Sequence, residues 1–393
     1  MLSQASKKPR LYTRPFVMMA LAHLFTVSSI SIFYLFPLFL TRAGADKVDI
    51  GVLMGVMALS SVLFRPNISQ FIDRIGRKRG YLIGCLIMAG LPFSYLLFQG
   101  KVSDFYAPLV LVRLIHGVGA ALCFTSAFTY IADVVPEARL NEGMGMFGTT
   151  GLMAMALGPA VGEVVIRHFG FPAYFATGSA FGLLGLILSL PLRESLVISA
   201  TQSKATFFSV MWLPKIRLVG LLALLFGVGL AAYGSFVTPF GQALNIQMVS
   251  LYFVAYSLAA VLTRIFGGRL ADAVGEIRIV PYALSITGLG LGLLIFLNGP
   301  GLLVLSGLIT GTGHGFLFPC LSALALRGEP MEIRGKINGV FTGGIDGGVF
   351  AGSLCLGVLG KMFGFRTIFA AAGLALLAGL LLLQKMPQLK KVD

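Results

Sequence analysis

From Ser69 to Arg79 the sequence reads SQFIDRIGRKR, a short charged stretch between two long apolar segments. Its single acid, Asp73, is followed by four cations, and Gly76 between them permits a tight turn. Cations this close to the end of a membrane span are retained in the cytoplasm under the positive-inside rule. The stretch therefore predicts a cytoplasmic loop between two membrane-spanning helices and orients the chain.

A related pattern returns in the second half of the chain as GRLADAVG, residues 268–275. Three pairs of residues share a separation of 199 positions: Asp73 and Asp272, Gly76 and Gly275, and Arg65 and Arg264. The FGF triplets at 169–171 and 363–365 are separated by 194 positions. Repeats of this length in a membrane protein indicate two homologous bundles with a site at their interface.

The composition excludes an ordinary soluble domain. Hydrophobic residues make up 57% of the 393 residues and charged ones only 11%, against roughly 25% charged in soluble domains. The net charge of +15 comes mostly from alternate short loops, so it indicates membrane topology and no nucleic-acid partner. Cys85, Cys123, Cys320 and Cys355 lie in apolar segments without metal-ligand spacing, so we expect neither disulfides nor a metal site.

Twelve apolar segments are long enough to cross a bilayer. The predicted spans are about 16–40, 50–70, 80–98, 107–132, 143–166, 171–191, 216–240, 249–270, 279–297, 301–326, 338–360 and 364–384. A polar cytoplasmic linker, 193–215, is expected to join one six-helix bundle, 1–192, to another, 216–393. An even number of spans puts both termini on one side, and the cation bias assigns that side to the cytoplasm. We predict an all-α, multi-pass protein of the inner membrane.

The charged loop after span 2 and two glycine-containing patterns in spans 4 and 5 resemble motifs of the major facilitator superfamily of secondary transporters. The resemblance extends over the whole length of the chain. Residues 69–78 are similar to the loop signature G-x-L-a-D-r-x-G-r-k, with Ser69 in place of the first glycine. RLIHGVGAA, residues 113–121, resembles R-x-x-x-G-x-G-A-A of span 4. GPAVG, residues 158–162, resembles an element of the antiporter branch, although Glu163 replaces a usual glycine. The resemblance implies two pseudo-symmetric six-helix bundles, a small-molecule substrate, and neither a cofactor nor enzyme activity.

The resemblance also implies a role for the charges of the loop. In the superfamily the equivalent acid and arginine form a latch between the two halves that favours the outward-open state. The corresponding gating residues here are Asp73, Arg74, Gly76, Arg77, Asp133 at the end of span 4, and Asp272 in the second copy. The alternative is that the loop only anchors the topology.

Three charged residues inside the spans, Arg113, Glu163 and Asp346, are candidates for proton coupling, because an intramembrane charge is costly unless paired or hydrated. The resemblance implicates Arg113 in coupling, and Glu163, at similar depth, is a candidate ion-pair partner; a static pair is the alternative. Asp346 lies about 12 Å from the end of span 11 by helix rise. Without a partner it would favour the protonated form and exchange protons, whereas the alternative is a hydrogen bond to a neighbouring helix.

Six residues within the spans are candidates for the substrate cavity, three of them histidines near mid-span: His23, Tyr34, His116, Tyr233, Phe236 and His314. Histidine titrates in the range useful for a proton relay, but a lone histidine on a helix is more often a structural hydrogen-bond donor. The aromatic residues precede prolines that bend spans 1 and 7, and a lipid-facing position is their alternative. Arg65 and Arg264 are expected to share a structural role near the cytoplasmic gate.

These features predict a monomeric carrier that works by alternating access and exports a small amphipathic or organic molecule in exchange for protons. The alternative is uptake of a small metabolite, such as an organic anion, by H⁺ symport or facilitated diffusion, with Arg113 as the charge partner. A lipid flippase or membrane enzyme is a remote possibility. The sequence has no Ser/His/Asp set, metal-ligand spacing or phosphate-binding loop that would indicate an enzyme.

Overall fold

A computed structural model describes residues 10–195, 206–330 and 333–384, and these residues form helices without any strand. The helices are α1 (Arg14–Arg42), α2 (Lys47–Ile75), α3 (Arg77–Leu97), α4 (Tyr106–Val134), α5 (Leu140–Ser189), α6 (Phe207–Met211), α7 (Pro214–Ala243), α8 (Leu251–Val274), α9 (Glu276–Phe296), α10 (Pro300–Leu326), α11 (Arg334–Phe363) and α12 (Phe365–Gln384). Short 3₁₀ segments occur inside α1 and at the ends of α3 and α9. Two isolated 3₁₀ turns, Val102–Asp104 and Glu137–Arg139, precede α4 and α5.

Helix α5 bends sharply at Gly170, whose backbone (φ 77°, ψ −175°) is not helical. A positive φ favours glycine because it has no Cβ to clash with the backbone, and Pro172 begins the next turn. The bend divides α5 into two arms, residues 140–169 and 171–189, which correspond to predicted spans 5 and 6.

Ten helical stretches among the described residues are long and apolar enough to cross a membrane, with both arms of α5 counted together. The apolar part of α8, Leu251–Gly267, is shorter than the other ten. The count of twelve spans stays a prediction. The predicted linker, 193–215, contains the short helix α6 and the start of α7, while its residues 196–205 lie outside the described ranges.

The helix ends form two layers, which we call the Arg77 end, after the loop between α2 and α3, and the Asp46 end, after the turn between α1 and α2. Helices of the first half of the chain contact helices of the second half in four pairs: α2 with α11, α5 with α8, α1 with α7, and α2 with α7. Glycines permit close packing of these helices. Gly51 of α2 lies against Ser353 of α11, and Gly348 of α11 lies against Leu224 of α7.

Candidate functional site

The signature loop forms a compact charge cluster at the Arg77 end. Asp73 Oδ1 lies 3.1 Å from Arg77 Nη1, and Arg77 Nε lies 3.2 Å from Asp133 Oδ2. Ser195 Oγ donates a hydrogen bond of 2.8 Å to the same Asp133 oxygen, while Arg74 is exposed. All these residues belong to the first half of the chain, so in this structure they do not bridge the two halves as the predicted latch would. The side chain of Asp272 lies outside the described residues.

Glu194 completes this cluster by capping helix α3. Its Oε1 accepts hydrogen bonds from the backbone N–H groups of Arg77 (2.7 Å) and Lys78 (3.3 Å). A carboxylate at a helix N-terminus is stabilised by the helix dipole and by the free N–H groups. Sequence reasoning missed Glu194 because it follows α5, far along the chain from the loop, and no spacing rule connects the two.

We expect Gly76→Ala to destabilise the protein through this contact. Gly76 has φ 106°, and a Cβ there would overlap the carboxylate of Glu194. The unfavourable backbone alone costs about 1–3 kcal/mol. Thermal unfolding of the purified protein measures the effect, with Gly44→Ala as control, because Gly44 also has a positive φ (84°) but open space around it. Equal losses in the two variants would contradict a steric role for Glu194.

The second half repeats the Arg77–Asp133 contact with its charges exchanged. Glu276 stands 199 positions after Arg77, and Arg327 stands 194 positions after Asp133. Arg327 Nη2 lies 2.5 Å from Glu276 Oε1. The replacement of Arg77 by Glu276 is visible in the sequence, but the compensating change at Arg327 becomes apparent only when the two are seen in contact.

An ion pair inside the protein joins the two halves of the chain. Asp346 of α11 pairs with Arg65 of α2 and accepts a hydrogen bond of 2.8 Å from Ser61 Oγ. Arg65 also donates to Ser61 Oγ at 3.1 Å. The side chains of Arg65 and Asp346 are 18% and 25% exposed, so neither is completely enclosed by protein. Asp346 therefore has partners on a neighbouring helix, as in the alternative that the sequence left open, and its role in proton coupling stays a prediction.

Arg264, the repeat equivalent of Arg65, has a different environment. Its guanidinium carbon lies 5.3 Å from the ring centroid of Phe318, within the range of a cation–π contact. Its Nε is buried and has no hydrogen-bond partner, and Arg264 makes no ion pair within the described ranges. Among the described side chains only Arg65 of the two faces an acid, so the two arginines make different contacts, and a shared structural role stays a prediction.

Arg113 and Glu163 do not form the predicted ion pair with each other in the described structure. Arg113 is 1% exposed; its Nε donates to the carbonyl of Leu53 at 2.8 Å, and its guanidinium lies over the ring of Phe36. Glu163 accepts hydrogen bonds from the backbone N–H groups of Val249 (3.0 Å) and Ser250 (2.8 Å). Glu163 is thereby satisfied at the start of α8, where the helix dipole favours an acid. Their roles in coupling stay predictions.

The histidines predicted near mid-span are all buried and hydrogen-bonded through Nδ1. His23 pairs with Thr150 Oγ1 at 2.8 Å, and His116 pairs with the hydroxyl of Tyr95 at 3.1 Å. His314 pairs with the hydroxyl of Tyr256. Rings surround His23 and His314, including Phe147 and Phe226 respectively.

The aromatic candidates of spans 1 and 7 meet between the halves. The ring of Tyr34 lies 6.3 Å from that of Tyr233 and stacks on Phe253 at 5.1 Å. The Tyr233 hydroxyl donates to Tyr256 at 2.9 Å, which extends the chain of hydrogen bonds to His314. Phe236 is fully buried in the core. The sequence did not identify Tyr256, because no motif distinguishes it from the other tyrosines.

Polar contacts hold the two halves together at the Asp46 end. Asp46 Oδ2 lies 2.7 Å from Lys361 Nζ, and Arg167 donates to the carbonyl of Gln247 at 2.5 Å. Partial burial raises the pKa of Asp46, but hydrogen bonds from Lys361 and from backbone N–H groups outweigh it, so the pKa lies below its ordinary value. Thr238 Oγ1 donates to the Tyr34 carbonyl at 3.1 Å. This end is therefore closed.

Sequence similarity to known proteins extends across both halves of the chain. The family model described as Major Facilitator Superfamily matches residues 17–247 and 219–392. Multidrug resistance protein MdtG of Salmonella choleraesuis is 27% identical over 355 residues, which cover 87% of this chain and 86% of MdtG. An uncharacterized MFS-type transporter of Methanocaldococcus jannaschii is 25% identical over 340 residues, 83% of this chain and 86% of that protein.

Solved structures share the fold. The crystal structure of nucleoside transporter NupG superposes with a TM-score of 0.75 at 15% identity, and that of the human organic anion transporter MFSD10 with a TM-score of 0.72 at 18% identity. Each covers 96% of this chain and 100% of the compared chain. The predicted all-α transporter fold and the predicted family are confirmed. The chain is a multi-pass membrane transporter, with no enzymatic role, and belongs to the Major Facilitator Superfamily.

Proposed function

We propose that this transporter exports a small amphipathic organic molecule in exchange for protons, by alternating access. The Arg65–Asp346 ion pair carries the proposal, because it joins helices of the two halves and is not completely enclosed by protein. Protonation of Asp346 would remove its charge and weaken the contact between α2 and α11. Proton binding and the relative movement of the halves would then be linked, since a ligand shifts a conformational equilibrium by its differential affinity for the two states.

We further propose that the chain divides into bundles 1–192 and 216–393 joined by the linker 193–215, and lies in the inner membrane with both termini in the cytoplasm. The Arg77 end would then be cytoplasmic, and the closed Asp46 end would face outward. Asp73, Arg77 and Asp133 would gate the cytoplasmic side when it closes, with Arg74, Gly76 and Asp272 as further gating residues.

The direction of transport rests on two observations. The GPAVG element at residues 158–162 resembles the antiporter branch, and the relative MdtG is described as a multidrug resistance protein. In a cell whose exterior is more acidic than its cytoplasm, protons entering through the carrier would drive the substrate outward. The aromatic residues that meet between the halves, such as Tyr34 and Tyr233, would suit a molecule with an apolar body.

Transport in membrane vesicles tests this direction. We expect inverted vesicles with an acidic interior to accumulate substrate, because protons leaving the vesicle exchange for substrate entering it. Right-side-out vesicles with an acidic exterior should expel preloaded substrate. Accumulation in right-side-out vesicles under that gradient, with none in inverted ones, would overturn export and support the alternative, H⁺ symport for uptake of a small metabolite.

A further inference from the structure

We propose that Arg264 binds an anionic group of the transported molecule, so that the substrate class is an amphipathic organic anion. This inference rests on the proposed carrier function and narrows it. The two halves of the chain place the equivalent residues Arg65 and Arg264 in different environments.

The repeat relates two contacts between the halves. Arg65 of α2 corresponds to Arg264 of α8 by the 199-residue separation, and Asp346 of α11 corresponds to position 152 of α5 by the 194-residue separation. The contact of α2 with α11 is matched by the contact of α5 with α8. In the first contact an arginine meets an aspartate, whereas in the second the matching position is Leu152, which is buried. Arg264 thus lacks the acid that compensates the charge of Arg65.

The side chain of Arg264 nevertheless lies against the same part of α5. A Cβ built on Gly148, one helical turn before Leu152, would lie 2.9 Å from Arg264 Nη1 and would meet nothing else within 4 Å. The guanidinium is therefore at the interface of the halves, where space remains beside α5. Its buried Nε has no hydrogen-bond partner. A shielded cation without a counter-ion is unfavourable, and a bound anion removes that cost.

The neighbouring groups fit an anion attached to an apolar body. Phe318 contacts both the guanidinium of Arg264 and the ring of His314. The hydroxyl of Tyr256, two turns before Arg264 on α8, is hydrogen-bonded to His314. Arginine presents a planar fork of N–H donors that binds carboxylate, sulfonate or phosphate groups through two hydrogen bonds. The aromatic wall beside it provides apolar surface for the rest of the molecule.

Binding to the purified full-length protein tests the proposal with matched pairs of probes. We would measure thermal stabilisation by benzoate, naphthalene-2-sulfonate and decanoate, each against its uncharged amide or sulfonamide. A ligand of the folded state raises the melting temperature. We expect at least one anion to stabilise the wild type more than its neutral partner does. Arg264→Gln should weaken that anion's apparent affinity by roughly tenfold or more, the effect of losing a charged hydrogen-bond partner.

Three further variants separate the effect of charge from the effects of side-chain size and of folding. Gly148→Asp places a carboxylate beside Arg264, so it should occupy the site and abolish the difference between anions and neutral partners, while Gly148→Asn, of equal size, retains it. Arg217→Gln removes an exposed arginine at the start of α7 and should leave the anion response unchanged.

The proposal is overturned if no anion of the panel exceeds its neutral partner in the wild type, or if Arg264→Gln responds like the wild type. Because these measurements use no proton gradient, they are independent of the direction and the coupling of transport. An anion response without gradient-driven transport would contradict the proposed function and leave the anion site standing.

Discussion

Asp346→Asn is expected to abolish the coupling of transport to protons while leaving downhill exchange of substrate. Asparagine retains the size of the side chain and a hydrogen bond to Ser61, but it cannot release or bind a proton. Arg65 would then face a neutral group in every state.

The expected concentration ratio of substrate across the membrane follows from the energy stored in the pH gradient. One pH unit corresponds to about 1.4 kcal/mol per proton, which holds a concentration ratio of roughly tenfold if one proton exchanges for one substrate. In proteoliposomes with the membrane potential clamped to zero, the wild type should therefore reach a ratio of about ten per pH unit. The Asp346→Asn variant should reach a ratio of one, although the label still equilibrates across the membrane.

Glu163→Gln provides the matched comparison, since it also neutralises one intramembrane carboxylate. Glu163 is bonded to the backbone N–H groups of Val249 and Ser250, so a glutamine oxygen can replace part of its capping function. We expect this variant to retain the gradient-driven ratio. If Asp346→Asn retains it and Glu163→Gln loses it, the proton is carried at α5 and the assignment to Asp346 is wrong.

The charged loop at residues 69–79, its repeat, the apolar spans and the motifs of spans 4 and 5 together predicted the fold, because loop charge, span length and motif spacing are properties of local sequence. The contacts of Asp346 were not predictable in the same way. Its partner Arg65 is separated by 281 positions, and only the packing of α2 against α11 brings them together. The sequence suggested that Arg65 and Arg264 behave alike, since the repeat places them equivalently. Their environments differ because the repeat equivalent of Asp346 is Leu152. An apolar leucine within a membrane span gives no indication in the sequence that an ion pair is missing.

Glu163 illustrates a second reason why sequence reasoning fails inside a membrane protein. Similar depth in the bilayer suggested a pair with Arg113, but depth does not fix the direction in which a side chain points around its helix. Glu163 instead satisfies two backbone N–H groups at the start of α8. Free N–H groups at helix ends occur between every pair of spans, and which carboxylate reaches them depends on tertiary packing.

Gly51→Val is expected to hold the Asp46 end open and to slow transport strongly without unfolding the protein. A Cβ at Gly51 of α2 would overlap the carbonyl oxygen of Ser353 and lie 3.4 Å from the Cα of Gly357, both on α11. This contact joins the two halves, so they can relieve the clash by separating, whereas a clash within one half would disrupt its own packing. Overpacking of this kind costs about 1–3 kcal/mol, which shifts a two-state population by about 5- to 150-fold.

The rate of cysteine modification reports this opening. Thr238 is fully buried at the interface and bonds to the carbonyl of Tyr34, so Thr238→Cys should react slowly with a membrane-impermeant maleimide, in a background where the exposed Cys355 is replaced by serine. Adding Gly51→Val should raise that rate by about the same 5- to 150-fold as the population shift.

Gly90→Val is the control, because Gly90 of α3 has nothing within 4 Å of an added Cβ. If the Gly51 and Gly90 variants label and transport alike, closure of the Asp46 end does not depend on the close approach of α2 and α11.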